Sequence, residues 1–363
     1  MTSAIIFASA MQKKMGELEL IERVRAGWGG AKLRRWPPGR GVVLGIGDDC
    51  AILRPPRGHE VLVTTDFTLE GRHFRREWHP PESVGHRALA RGLSDLAAMG
   101  ARPLAAFLSL ALPAEMPATR KGRMWVERFF KGLGRLGDRA GVTLAGGDTS
   151  ESPCGLVLAD VVLVGSAPAG RALRRSGGSV GDELYVTGML GGAAAELGMM
   201  ARRDGGRHPT LRGKAAKSGA PDFAAAHPQL WPEPRLGVGQ ALLRRGLASA
   251  AIDLSDGLST DLAHLCRESG VGAEIGAAAL PVHPLALAKG THDEALRLAL
   301  NGGEDYELLF AARAGVRVPR SIAGVRVTRV GRLVMGGVVT LVVGAGRRRS
   351  LKPDGWEHFA GKH

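Results

Sequence analysis

Ser83-Val84-Gly85-His86-Arg87-Ala88-Leu89-Ala90-Arg91-Gly92-Leu93-Ser94-Asp95-Leu96-Ala97-Ala98-Met99-Gly100 decides how the first half of this chain folds. Val84, Ala88, Leu89, Leu93, Leu96 and Ala97 recur at helical spacing and Gly100 follows as a stop, so the stretch reads as an amphipathic helix. Short apolar runs bounded by Gly, Pro or Asp flank it: Val42 to Ile46 and Val61 to Thr65 before it, Leu104 to Leu110 and Leu156 to Val164 after it. These have strand character. A second helix, Met124 to Ala140, separates the last two strands. Strands alternating with helices give an α/β (α+β) class.

Ala167-Pro168-Ala169-Gly170 interrupts both strand and helix, and is the expected boundary between a unit at 16–167 and one at 168–363. Beyond it we expect a strand at Glu183 to Thr187, helices at Leu236 to Leu247 and Ser259 to Ser269, and a further strand entered from Asn301 to Phe310. The stretch 201–221 is rich in Gly, Lys and Arg without periodicity and reads as a basic loop; residues 1–15 read as an extra, disordered segment.

Composition narrows the function classes. The 363 residues are 44% hydrophobic and 23% charged, which is globular. Cys50, Cys154 and Cys266 have no paired spacing, so neither a disulfide framework nor a cysteine zinc site is supported. No run approaches the roughly 18 apolar residues of a membrane span, and the apolar patch Ala4 to Ala8 lacks the positive flank of a signal peptide. A soluble, cytoplasmic protein with no membrane partner is expected. The net charge of +14 raises a polyanion partner. Aromatic residues are only 5% and do not interleave with the basic clusters, so a nucleic-acid partner is not expected. Most of the basic excess lies near 32–40, 202–217 and 347–349, away from the motifs below.

Those motifs are carboxylates at strand ends. Gly45-Ile46-Gly47-Asp48-Asp49 ends one run, Thr64-Thr65-Asp66 the next, Gly146-Gly147-Asp148 precedes another, and Ile252-Asp253-Leu254-Ser255-Asp256-Gly257 follows a helix. Asp95 lies at the edge of the apolar stripe of its helix, where a freely solvated Asp is less expected. Clustered carboxylates repel unless a cation sits among them, and Mg²⁺ is held by a few carboxylates, water and substrate phosphates. Turn chemistry alone explains any one Asp-Gly site; five together point to metal and phosphate. Gly45-Ile46-Gly47 is not a dinucleotide fingerprint, because two carboxylates stand where a pyrophosphate would dock, and no Walker-type loop or protein-kinase signature occurs.

In this order, these blocks, together with Gly16 to Ile21, Glu70-Gly71-Arg72-His73-Phe74, Leu93 to Gly100, Gly302-Gly303-Glu304-Asp305-Tyr306-Glu307-Leu308 and Gly355-Trp356-Glu357-His358-Phe359, resemble the thiamine-monophosphate kinase family. The aspartate blocks alone also fit the wider PurM-like superfamily, with aminoimidazole ribonucleotide synthetase and selenophosphate synthetase; the other blocks narrow the resemblance to the kinase. It implies a PurM-like two-domain fold, a homodimer joined through N-terminal sheets, and ATP-dependent phosphorylation of thiamine monophosphate to thiamine diphosphate. It further implies that Asp49, Thr64, Thr65, Asp66, Asp95, Asp148, Asp253 and Asp256 hold Mg²⁺ ions, with Asp49, Asp148 and Asp253 catalytic. Gly147, Asp148, Arg175 and Ser255 would contact ATP; His73, Glu304 and Trp356 would contact the thiamine phosphate. Phe67-Thr68-Leu69 departs from the usual Thr-Leu-Val after the strand aspartate without touching a metal ligand.

Overall fold

The computed structural model describes residues 19, 22–24, 41–202, 226–288 and 290–356. Most of the basic stretch at 201–221, the segment 1–15, the Gly16 to Ile21 block apart from Glu19, and Glu357 to Phe359 lie outside them.

A hairpin, β1 (Val42–Leu44) and β2 (Ile52–Leu53), leads into β3 (His59–Leu69). Helix α1 (Pro81–Ala98), strand β4 (Arg102–Leu112), helix α2 (Arg120–Ala140), and strands β5 (Thr143–Glu151) and β6 (Leu158–Pro168) follow. β3 to β6 form a sheet in the order β3-β6-β4-β5, antiparallel except for the parallel β4–β5 pair. The sequence reading ended its strands two to four residues short at several ends and missed β5. Gly146-Gly147-Asp148 does not precede a strand but lies inside this one. Gly interrupts the β pattern there for a reason of packing. The ladder is irregular between Ala106 and Phe107, and at Gly147, with φ 149°, a Cβ would sit 1.9 Å from the Leu108 carbonyl oxygen.

The second sheet is drawn from residues 183–350: β7 (Glu183–Thr187), β8 (Ala250–Leu254), β9 (Gly272–Gly276), β10 (Glu307–Ala312), β11 (Ser321–Ile322), β12 (Val325–Val334), β13 (Val339–Val343) and β14 (Arg347–Ser350), ordered β14-β13-β9-β12-β7-β10-β8 with β11 beside β12. Its helices are α3 (Gly192–Arg202), α4 (Leu236–Arg245), α5 (Leu258–Ser269) and α6 (His292–Asn301). Of these, α3 and α6 were not expected.

Helix α1 joins the halves. The sequence suggested one apolar face, yet all but Glu82, Arg91 and Asp95 of its eighteen residues are buried. The would-be polar face is covered by chain from the second half. Ser83 Oγ donates to the Leu230 carbonyl at 2.9 Å, His86 Nε2 donates to the Pro232 carbonyl at 2.7 Å, and α4 packs so closely that a Cβ on Gly239 would lie 1.8 Å from the Ala97 oxygen. Burial keeps His86 neutral, its pKa pushed down to about 4. Along α1, the hydrophobic core runs without a break from Leu89, Leu93 and Phe129 to Leu242, Leu308 and Phe310.

Candidate active site

Strand alternation sorts the β3 residues. Thr64 and Asp66 face α1; Val61, Val63, Thr65 and Phe67 face the other way. Thr64 Oγ1 donates to Asp95 Oδ2 at 2.5 Å, tying β3 to α1, and Ser94 Oγ donates to Asp253 Oδ2 at 2.8 Å, tying α1 to β8. Asp66, Asp95 and Asp253, from three elements and both halves, thus become neighbours. Burial first, and then Asp95, pushes Asp66 up to about 6 and Asp253, 3% exposed, up to about 7; burial also raises Asp95 against the Thr64 hydrogen bond. Asp261 is pushed up to about 8 by burial and by Asp253 and Asp256. Its Oδ2 accepts from the amides of Asp256 and Gly257, each at 3.1 Å, which fixes the Ser255-Asp256-Gly257 turn at the start of α5.

Two clefts open from this cluster. The larger, about 540 Å³, is lined by Asp66, His73, Arg91, Glu304, Tyr306 and Trp356, with Ser255 and Asp256 on one wall. The second, about 480 Å³, is lined by Thr64, Met99, Leu173, Arg174, Arg175 and Ile252. Asp95 and Asp253 line both. In the larger cleft His73 Nδ1 accepts from the Leu69 amide at 3.0 Å, leaving the ring proton on Nε2. Trp356, 46% exposed, lines the rim, its amide donating to the Asp256 carbonyl at 3.0 Å.

Glu304 carries a left-handed φ of 67° and Tyr306 one of 50°, costly for non-glycine residues. The turn is held by the Glu304 amide donating to the Ser255 carbonyl at 2.7 Å and the Tyr306 amide donating to the Leu254 carbonyl at 2.9 Å. Between them, Asp305 accepts from the amides of Gly191 at 2.6 Å and Ala193 at 3.2 Å, anchoring the start of α3. Burial would raise the Glu304 carboxyl, but Arg87 at 2.7 Å and Arg91 at 3.4 Å outweigh it and hold it below the ordinary value. Gln229 Nε2 donates to its other oxygen at 2.9 Å. The sequence reading missed Arg87, Arg91, Gln229, Tyr306 and Asp261. All but Gln229 lie within or a few residues from quoted blocks, and only the fold places Arg91 and Tyr306 on the cleft lining with Arg87 and Asp261 buried behind it.

The remaining expected ligands stand elsewhere. Thr65 Oγ1 donates to Asp160 Oδ1 at 2.7 Å on the outer face of the first sheet. Phe67, Asp160, Ser109 and Asp148 are paired in register across β3-β6-β4-β5, so Asp148 belongs to that outer face and to the opposite edge. At about 4.8 Å per strand, Asp148 is roughly 14 Å from β3. Asp48 and Asp49 are exposed in the β1–β2 turn, and Ile46 beside them lines a small pocket with Gly146, Gly147 and Asp148. Among the described residues, no three His, Cys, Asp or Glu side chains converge on one point. No helix among them is long and apolar enough to cross a membrane.

Residues 47–167 match the family model of the AIR synthase related protein N-terminal domain. Thiamine-monophosphate kinase of Escherichia coli O157:H7 is 39% identical over 88% of this chain and 93% of its own length. The crystal structure of thiamine-monophosphate kinase from Stenotrophomonas maltophilia K279a superposes with a TM-score of 0.72 at 35% identity, covering 85% of this chain and 92% of that one. The structure of AaThiL complexed with AMPPCP and TMP covers 96% of this chain and 98% of that one, with a TM-score of 0.69 at 28% identity. With its two sheets, its shared carboxylate wall and near full-length identity of this size, the chain belongs to the thiamine-monophosphate kinase family.

Proposed function

We propose that this protein transfers the terminal phosphoryl group of ATP to thiamine monophosphate, forming thiamine diphosphate, as a Mg²⁺-dependent cytoplasmic homodimer. The observation that carries the reading is the pair of clefts meeting at Asp95 and Asp253. A donor and an acceptor, each with a phosphate end, can enter from opposite sides and meet over the same carboxylates.

The second cleft suits ATP. Met99, Leu173 and Ile252 give an apolar surface for a base, and Arg175 faces Asp95 and Asp253 at the phosphate end. The larger cleft suits thiamine monophosphate, with Trp356 and an ionised Glu304 for the cationic, aromatic part. Gly147 is a further proposed ATP contact, whereas Ser255, expected to touch ATP, lines the larger cleft, and His73 Nε2–H can donate to the acceptor. Burial raises Asp66, Asp95 and Asp253, and since no three carboxylates among the described residues converge on one point, these residues with Thr64 and Asp256 would hold Mg²⁺ ions with one or two carboxylates each, water and substrate phosphate completing the shell. Bound there, Mg²⁺ supplies charge neutralisation between two anions. The acceptor is a phosphate monoester with a second pKa of about 6, so near pH 7 its oxygen is a competent nucleophile without a protein base. Direct in-line transfer, with no phospho-enzyme, follows.

Asp49, Thr65, Gly147 and Asp148 then serve through the dimer. The outer face of the first sheet exposes Val63 at 65% and Phe67 at 60%, together with Val61, a patch that a second copy would cover. Docked there, the second copy would bring its own β5 edge, with Asp148 and the Asp48-Asp49 turn, to the β3 edge where Thr65 lies on the outer face and Asp66 on the inner. Incubation with ATP, Mg²⁺ and thiamine monophosphate tests the reading: thiamine diphosphate should form, and its absence from active-site-titrated protein refutes the reading.

A further inference from the structure

Arg91 and Asp95, one helical turn apart, are the α1 residues that line the larger cleft. Arg91 stands where the two halves of the chemistry meet. Its Nη2 is 3.6 Å from Asp66, its Nη1 is 3.4 Å from Glu304 Oε1, and Nη1 donates to the Tyr306 hydroxyl at 3.1 Å. Arg87 lies one turn earlier on the same helix. Arg87 is 1% exposed, with Nη2 donating to Glu304 at 2.7 Å and to the His73 carbonyl at 3.0 Å, and Nη1 to the Gln229 carbonyl. Both of its Nη groups are committed to protein, while its Nε, like that of Arg91, is buried without a partner. Arg91 is 16% exposed on the cleft lining, every contact it makes is 3.1 Å or longer, and its Nη2 has only Asp66 at 3.6 Å beside it. A guanidinium offers five donors in a planar fork that matches phosphate oxygens. Burial opposes its charge, but Tyr306, Glu304 and Asp66 keep it firmly protonated. The other basic residues of this cleft, Arg72 and Arg297, are exposed on its lining.

We infer that Arg91 is a phosphate-binding residue of the acceptor site: its free donors grip the phosphate of thiamine monophosphate and hold the attacking oxygen beside the Asp66–Asp95 cluster. The inference rests on the kinase reading above. The fork supplies specificity for the phosphorylated acceptor as well as charge, because a single ammonium cannot bind two oxygens in one plane.

The test compares wild type, Arg91→Ala and Arg91→Lys. With Arg91→Ala, kcat/KM for thiamine monophosphate should fall by about 10²- to 10³-fold, and Arg91→Lys should recover only part of it. The decisive readout is equilibrium binding of thiamine monophosphate against unphosphorylated thiamine. Removing a charge-assisted phosphate contact should narrow the wild-type preference by about ten- to a hundredfold, while thiamine binding changes far less than binding of the phosphorylated form. Added guanidinium should restore turnover to Arg91→Ala. Equal weakening of both ligands, or an unchanged preference, overturns the assignment and returns Arg91 to a structural ion pair. Failure of the wild type to form thiamine diphosphate overturns the kinase reading instead, and that measurement comes first.

Discussion

Replacing Asp253 by Asn should separate stability from activity. The carboxyl is 3% exposed and raised from 3.8 to about 7, chiefly by burial and then by Asp95. A carboxyl whose folded pKa lies above its unfolded one costs nothing below pH 4. The cost grows as pH rises from about 4 to 7, because the folded state holds the proton that the unfolded state has released, and is constant above. Three units correspond to roughly 4 kcal/mol at pH 8 in the absence of metal. That figure is already net of Arg175 and the Ser94 hydroxyl, which favour the charged form, so the expected gain on removing the charge is up to about 4 kcal/mol. For a chain of this size that is a rise of about 2 to 5 °C in melting temperature. The assay is thermal unfolding in chelator at pH 4, 6 and 8. The Asn variant should match the wild type at pH 4 and exceed it increasingly toward pH 8, while kinase turnover is lost. A gap that does not depend on pH, or a variant less stable throughout, would refute the account of Asp253 as a strained, cation-awaiting carboxylate.

Three further outcomes follow from the geometry. Asp66→Asn and Asp148→Asn should each be inactive alone, yet a differently tagged heterodimer of the two should recover about half the wild-type turnover, since one of its two sites is then intact; an inactive heterodimer places both residues in one chain's site. Gly147→Ala drives a Cβ against the Leu108 carbonyl and should cost about 3 kcal/mol in urea unfolding; unchanged stability would mean that the β5 irregularity relaxes freely. Trp356→Ala should raise KM for thiamine monophosphate with little change in KM for ATP, because Trp356 lines the larger cleft and not the second; equal changes in both would count against that division.

Much of this was legible in the sequence because it is local. The α1 periodicity, the strand at Glu183 to Thr187, which was read with its bounds intact, and the aspartates at Gly-rich strand ends are properties of a few consecutive residues. β5 was not legible, since Gly146-Gly147-Asp148 carries no strand propensity and its conformation is imposed by the Leu108 backbone beside it. Arg91 was equally silent: along the helix it is one more surface-type cation, and only the cover laid over α1 by residues 229–242 leaves it and Asp95 as the α1 residues that reach the larger cleft.

By itself, then, the sequence determined the residue types: which carboxylates, glycines and aromatics the chain would have, and the family they resemble. The tertiary structure decided their grouping. Asp66, Asp95 and Asp253 are drawn from a strand, a helix and the other sheet by two side-chain hydrogen bonds, whereas Asp148, in the same run of motifs, is carried by strand order to the far edge and by strand alternation to the outer face. Neither strand order nor facing is encoded locally. Both follow from which apolar surfaces bury one another, a property of the whole chain.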